Sequence, residues 1–218
     1  MTPPGHPERM ERARVFTAVA ERWRAQGGPT LSPRAATVEE LARVHDEAYL
    51  ASFAATAGRA VSLDADTYTS PESVEIAALA AGAAVQAAEH ALAHREPAFA
   101  LVRPPGHHAE RDRAMGFCFY NNVAVAAAAA RAAGTPRVAI VDIDVHHGNG
   151  SQWMFYDDPS VLYVSSHQFP FYPGTGAADE IGTGAGRGFT KNLPLPEDSG
   201  DATYLDAVEE TIVSSGAN

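Results

Sequence analysis

Val141-Asp142-Ile143-Asp144-Val145-His146-His147-Gly148-Asn149-Gly150 is the stretch on which the fold turns. In it Asp142, Asp144 and His146 recur at every second residue. Side chains two apart on an extended strand leave by the same face. The residues before them, Arg137 to Val141, are apolar and β-branched. The reading is therefore a buried strand over Arg137 to Asp144 that delivers polar groups at its carboxyl end. Carboxylate oxygen and imidazole nitrogen at that spacing suit a divalent metal, zinc foremost, with Asp144 and His146 as ligands. The plainer alternative is a solvated loop after a strand. Against it, Asp and His at the end of a buried strand are costly unless paired or metal-bound. A catalytic zinc takes three protein ligands and leaves a place for water, so at least one ligand lies outside this stretch.

Upstream, Arg103-Pro104-Pro105-Gly106-His107-His108-Ala109 places two adjacent histidines on a loop. Five of the nine histidines fall between 107 and 167. Beside a metal, His107 and His108 read as an acid/base pair. A histidine base needs a carboxylate or amide behind its far nitrogen, and Asp142 and Asn149 suit that task. A carboxylate behind one ring and an amide behind the other would split their proton affinities and so separate acid from base. Phe117, in Gly116-Phe117-Cys118-Phe119, reads as one wall of a narrow apolar channel and Tyr172 as the other, whereas Phe119 reads as core. Asp64 and Asp66 read either as turn and helix-dipole residues or, for Asp66, as a rim carboxylate that binds substrate backbone or a cationic head. A nucleophilic Cys118 is the weaker reading, because the metal cluster accounts for the histidines without it. His6, His45, His90 and His94 read as ordinary surface or packing residues.

The rest of the chain alternates helix and strand. Val15, Val19 and Trp23 predict an amphipathic helix over 7–26. Thr37 with Glu40 forms a capping box that opens a helix over 38–57. Ser70-Pro71-Glu72 starts a long alanine-rich helix to about His94. Ala98 to Val102 is expected as a short strand ending at the histidine loop. Asn121 or Asn122 caps a helix that Gly134 stops. Val161 to Ser166 is the next strand, and Phe169 to Gly188 is a loop long enough to belong to a site. Asp201 to about Val213 is the last helix. This alternation predicts an α/β fold: one domain over 1–218, built on a parallel sheet with helices on both faces and ligands beyond the carboxyl ends of its strands.

Composition narrows the function classes. The 218 residues are 45% hydrophobic, enough for a buried core. Sixteen basic against 27 acidic residues give a net charge of −11, which argues against nonspecific binding to nucleic acid or an anionic membrane. One cysteine excludes an internal disulfide and points to a reducing, cytoplasmic compartment. The N-terminus carries no apolar signal region, and the alanine-rich stretches read as too short or too polar to span a bilayer.

These motifs together resemble the zinc-dependent histone deacetylase family. The resemblance rests on the 103–109, 116–122 and 142–152 segments, on Phe171-Tyr172-Pro173-Gly174-Thr175-Gly176, and on the opening Gly5-His6-Pro7-Glu8-Arg9. Asn149, where other members carry Asp, is similar to the class II and bacterial acetylpolyamine amidohydrolase-like branch. The resemblance implies an arginase-like α/β fold and a hydrolase, an amidohydrolase that cleaves the acetamide of acetyl-lysine or an acetylpolyamine with a metal-bound water. It implies zinc on Asp144 and His146, and His107 and His108 as the tandem acid/base pair backed by Asp142 and Asn149. Gly116 would accept the substrate amide N–H, while Phe117 and Tyr172 flank the acyl-lysine tunnel. It further implies potassium beside the zinc, on Asp142, Asp144, His146, Ser165 and Ser166, and a second potassium site at Phe155, Asp158 and Val161.

The family pattern runs on past this chain: a later strand should supply an aspartate as third zinc ligand, and a Gly-Gly-Tyr motif a tyrosine for the carbonyl. Neither motif occurs in the 218 residues, so the expectation is a partial deacetylase domain that lacks its C-terminal strands. Two other readings stay open. One is a non-catalytic remnant that binds acyl-lysine or polyamine; the other is a ureohydrolase-like manganese enzyme, which the tandem histidines argue against. A homo-oligomer is compatible with the sequence.

Overall fold

The computed structural model describes residues 5–209. Its backbone divides into two units, Met1–Ala130 and Arg131–Asn218.

The first unit is helical. Helix α1 spans Met10–Ala25, but none of its residues is buried, and Val15 and Trp23 face outward. Of the expected apolar stripe, Trp23 lies over Gly28 and donates to the Pro29 carbonyl at 2.9 Å, while Val15 stays exposed. The capping box at Thr37 forms in full: the Glu40 N–H donates to Thr37 Oγ1 at 3.1 Å, and the Thr37 N–H to Glu40 Oε2 at 2.8 Å. Arg34 beside that carboxylate lowers its pKa to about 2. The helix it opens is broken, contrary to the continuous run expected over 38–57. Helix α2 is Val38–Ala42 and α3 is Glu47–Ala54. Between them the Asp46 N–H donates to the Arg111 carbonyl at 2.9 Å, so a tertiary bond takes the donor that a continuing helix would need.

Helix α4, Ser73–His94, runs 22 residues and buries Ala77, Ala80, Ala81, Gly82 and Val85. Contrary to the sequence reading, it is long and apolar enough, by length and composition alone, to cross a membrane. One side of it is packed within the first unit. The 32–36 segment lies against it through Ala36 N–H to Ala78 O at 2.8 Å and Arg34 N–H to Gln86 Oε1 at 2.7 Å. A Cβ at Gly82 would strike the backbone at Arg34 and Ala36, so only glycine permits this approach. Phe53, fully buried, stacks on Phe119 at 5.0 Å and meets Tyr120 edge-on at 5.1 Å. Replacing such a ring by alanine costs about 3–5 kcal/mol. Helix α5, Asn122–Ala132, begins after Asn121, whose Oδ1 accepts the Ala124 N–H at 3.1 Å. Asn121 is thus the cap.

Residues 98–102 carry no strand, contrary to expectation, and Phe99 is 85% exposed. An apolar run has strand propensity, but a strand exists only where a neighbour takes its N–H and C=O groups.

The second unit holds a three-stranded parallel sheet in the order β1-β2-β3: Val138–Asp142, Val161–Gln168 and Thr190–Leu195. Helix α6, Asn149–Met154, joins the first two, and α7, Asp201–Val208, follows the third. Strand β2 is central and buried on both faces over 163–167, as a middle parallel strand requires. Strand β1 is an edge, and only Ile140 in it is buried; the expectation of a fully buried strand fails there because nothing covers its outer side among the described residues. Strand β3 was not expected, and it carries Pro194, which cannot donate to a ladder. Proline is tolerated because β3 is also an edge. The expected last helix is present to Val208 with Glu209 at its C-terminal end, and the expected residues 210–213 lie outside the described residues.

Candidate functional site

His107, His108, Gly116, Phe117 and Asp66 belong to the first unit; Asp142, Asp144, His146, Asn149 and Tyr172 belong to the second.

In the first unit the rings of His107 and His108 lie 4.0 Å apart, with His108 buried. Two devices hold them. Asn121 donates from Nδ2 to the Ala109 carbonyl at 3.2 Å, so the residue that caps α5 also pins the histidine loop. Gly116, at φ +56°, lies against the His108 ring; a Cβ there would come 2.7 Å from His108 Cγ. His45 sits behind both, almost wholly buried. It accepts the Asn121 N–H on Nε2 at 3.0 Å, so its Nδ1–H donates to the Glu110 carbonyl at 2.9 Å. Burial, the largest influence, lowers its pKa to about 4.

Phe117 adopts φ +67°, a left-handed conformation that costs a non-glycine residue about 1–3 kcal/mol. Its N–H donates to Thr67 Oγ1 at 3.1 Å. His6 packs edge-on against the Phe117 ring at 4.6 Å and against Tyr68 at 5.1 Å. His6 Nδ1 lies 3.1 Å from both the backbone N–H and the carbonyl of Glu8, and its Nε2 lies 3.2 Å from the Asp66 carbonyl. His6 is therefore no ordinary surface residue. Glu8, buried, pairs with Arg103 and with Arg12, which ties the 5–9 motif to the start of the histidine loop. These residues line a pocket of about 430 Å³, whose walls include His6, Asp66, Tyr68, Arg103 and Phe117.

In the second unit β1 ends at Asp142, so the period-two argument does not carry to Asp144 and His146. The chain instead bends through two side-chain turns. The Asp144 N–H donates to Asp142 Oδ1 at 3.1 Å and the His146 N–H to Asp144 Oδ1 at 2.9 Å. Aspartate competes for nearby backbone donors, and here that competition ends the strand. The turns still bring the two expected ligands together, with His146 Nδ1 3.1 Å from Asp144 Oδ1. Two ligands of a tetrahedral zinc at about 2.0 Å each are roughly 3.3 Å apart, so this pair fits one corner-to-corner edge of such a site. Among the described residues no group of three or more His, Cys, Asp or Glu is placed to hold a metal ion. Phe171 stacks on the His146 ring at 5.2 Å, and Tyr172 meets it edge-on at 5.8 Å.

The potassium expectations fall on two places. Ser165 is the register partner of Asp142 across β1 and β2, while its hydroxyl lies 2.9 Å from His167 Nδ1. The Ser166 hydroxyl is 2.7 Å from that of Tyr204. Phe155, Asp158 and Val161 form the turn from α6 into β2, where the Asp158 N–H donates to the Phe155 carbonyl at 3.1 Å.

A buried polar network, absent from the sequence reading, fastens the long loop. His147 Nε2 lies 3.0 Å from Gln152 Oε1, and its Nδ1 2.7 Å from Thr175 Oγ1. Gln152 donates from Nε2 to Glu180 Oε2 at 2.5 Å. Asn192 donates to Gln152 Oε1 at 2.7 Å, and the Gly176 and Ala177 N–H groups donate to the Glu180 carboxylate. Burial, first, and the neighbouring His167 lower the pKa of His147 to about 4. Tyr163, also missed, places its buried hydroxyl 3.3 Å from Asp142 Oδ2 and 3.1 Å from the Gly148 carbonyl. The signal in each case is a polar residue amid apolar or glycine-rich sequence, legible only once burial is known.

The family model for the histone deacetylase domain matches residues 6–217. A probable deacetylase of Archaeoglobus fulgidus is 41% identical over 213 residues, covering 96% of this chain and 59% of that protein. Among solved structures, the HDA15 HD domain superposes with a TM-score of 0.93 at 40% identity, over 100% of this chain and 65% of that one. Acetylpolyamine aminohydrolase from Burkholderia pseudomallei superposes with a TM-score of 0.87 at 32% identity, over 95% of this chain and 70% of that one. The arginase-like α/β expectation agrees with both superpositions.

Proposed function

We propose that this chain, which belongs to the histone deacetylase family, serves the zinc-dependent hydrolysis of acetylated amines, acetyl-lysine or acetylpolyamine. The observation that carries the proposal is the close His107–His108 pair, with His108 lodged under Gly116. Asp144 and His146 would hold zinc, which supplies a Lewis acid that polarises the amide carbonyl and makes water acidic near neutral pH. One imidazole of the pair takes a proton from the attacking water, and one returns a proton to the departing amine. The Gly116 carbonyl accepts the substrate amide N–H, Phe117 flanks the acyl chain, and Asp66 accepts from the substrate backbone or a cationic head. One family match runs through both units, which supports treating 6–217 as parts of one domain.

A second reading is binding without turnover, favoured by the count of two metal donors, Asp144 and His146, brought together among the described residues. Zinc-loaded protein incubated with an acetyl-lysine peptide and with N-acetylputrescine distinguishes the two. Amine release that disappears in His107→Ala and His108→Ala supports hydrolysis. Calorimetric binding of either ligand with no amine release supports the second reading, and neither binding nor release rejects both.

A further inference from the structure

We infer that Thr67 is a positioning residue whose single hydroxyl fixes Asp66 and the Phe117 turn relative to each other. The inference rests on the proposed role of those two residues in holding an acylated amine. Thr67 is buried at the end of a tightly bonded loop. Asp64 Oδ1 accepts the Asp66 and Thr67 N–H groups at 2.9 and 2.6 Å, and the Leu63 N–H donates to the Thr67 carbonyl at 2.8 Å. The side chain of a β-branched residue on so fixed a backbone has little rotational freedom. Its hydroxyl accepts the Phe117 N–H at 3.1 Å and donates to Asp66 Oδ1 at 2.9 Å. The first direction cannot reverse, because an amide N–H only donates, and it leaves the hydroxyl's one proton for the Asp66 carboxyl.

The arrangement links two otherwise separate matters. Phe117 occupies a backbone conformation that it would leave if unsupported, and the bond from its own N–H restrains that departure. The Asp66 carboxylate is fixed by the proton of the same hydroxyl. Without the hydroxyl, the wall of the acyl slot and the carboxylate at its rim would move independently, and substrate fit would suffer more than proton transfer.

Thr67→Val removes the hydroxyl and keeps the shape; Thr67→Ser restores it. In zinc-loaded protein, Thr67→Val is expected to raise KM for an acetyl-lysine peptide about tenfold with kcat within threefold, and Thr67→Ser to return KM to within twofold of wild type. Amide hydrogen exchange read by NMR supplies a measure free of turnover. The Phe117 N–H should exchange at least tenfold faster in Thr67→Val and recover in Thr67→Ser, while Val85 in α4 is unchanged. Unchanged exchange overturns the inference, and so does faster exchange with unchanged KM. If wild type neither binds nor cleaves the peptide, the functional reading has failed, and Phe117 exchange alone decides whether Thr67 holds the turn.

Discussion

The backbone N–H of Asn121 donates to Nε2 of His45 across 3.0 Å, and this bond sets the tautomer of a histidine that never meets solvent. Acid should therefore loosen the first unit. The pKa of His45 falls from 6.5 when unfolded to about 4 when folded, so the unfolded chain binds the extra proton between those values. Stability is full above pH 6.5 and declines as pH falls toward 4, by roughly 3 kcal/mol for this group. Urea titrations from pH 7 to 4 should show that slope, and His45→Gln should reduce it, leaving the share of His147, at the cost of lower stability at pH 7. A slope unchanged by the substitution would assign the acid sensitivity elsewhere.

Gly116→Ala should separate folding from function. The substitution strains a left-handed φ and drives a methyl into the His108 ring. A loss of about 2 kcal/mol in stability is expected from the backbone alone. Amide hydrolysis should fall by tenfold or more, because His108 must move. Calorimetric melting and a peptide assay check the two effects, and full activity with a displaced melting point would show that His108 tolerates the shift.

Glu180→Ala leaves the Gly176 and Ala177 N–H groups and the Gln152 amide without their acceptor. Unpaired buried donors cost about 1–3 kcal/mol each, partly recovered by water, so a net loss near 3 kcal/mol is expected in urea unfolding. Proteolysis within 169–182 should accelerate in parallel. Resistance equal to wild type would mean that the loop is held by other bonds.

Zinc should bind the second unit through Asp144 and His146. Asp144→Asn and His146→Ala are each expected to weaken zinc affinity at least tenfold in competition with a chromogenic chelator, and Phe171→Ala, which removes the ring stacked on His146, about threefold. Chelation should abolish any amide hydrolysis, and zinc should restore it. Equal affinity in Asp144→Asn would remove that carboxylate from the ligand set.

Much of the site could be seen in the sequence because its chemistry is concentrated. Asp144 and His146 approach to 3.1 Å and the His107 and His108 rings to 4.0 Å, and adjacency in sequence is enough to predict both approaches. The reason first given for Asp144 and His146 was incorrect in detail: turns built by Asp142 and Asp144, and not an extended strand, bring them together. The capping box at Thr37 and the cap before α5 are local and were legible. The break between α2 and α3 was not, because the carbonyl that ends α2 belongs to Arg111, sixty-five residues on from Asp46. Residues 98–102 and β3 erred in opposite senses for one reason. Strand propensity is a property of the segment, while pairing is a property of its neighbours. Thr67, Gln152 and Glu180 carry no signature at all, since their roles exist only through partners remote in sequence.

Cys118 is wholly buried and donates its thiol to the Gly116 carbonyl at 3.3 Å, within the same turn that carries Phe117. It is also the only sulfhydryl in the 218 residues. The protein thus contains its own reporter: a disulfide reagent such as DTNB can react only in molecules whose slot wall has momentarily opened. Labelling rates across the variants above would rank how often that wall comes apart, without substrate, metal or an introduced dye.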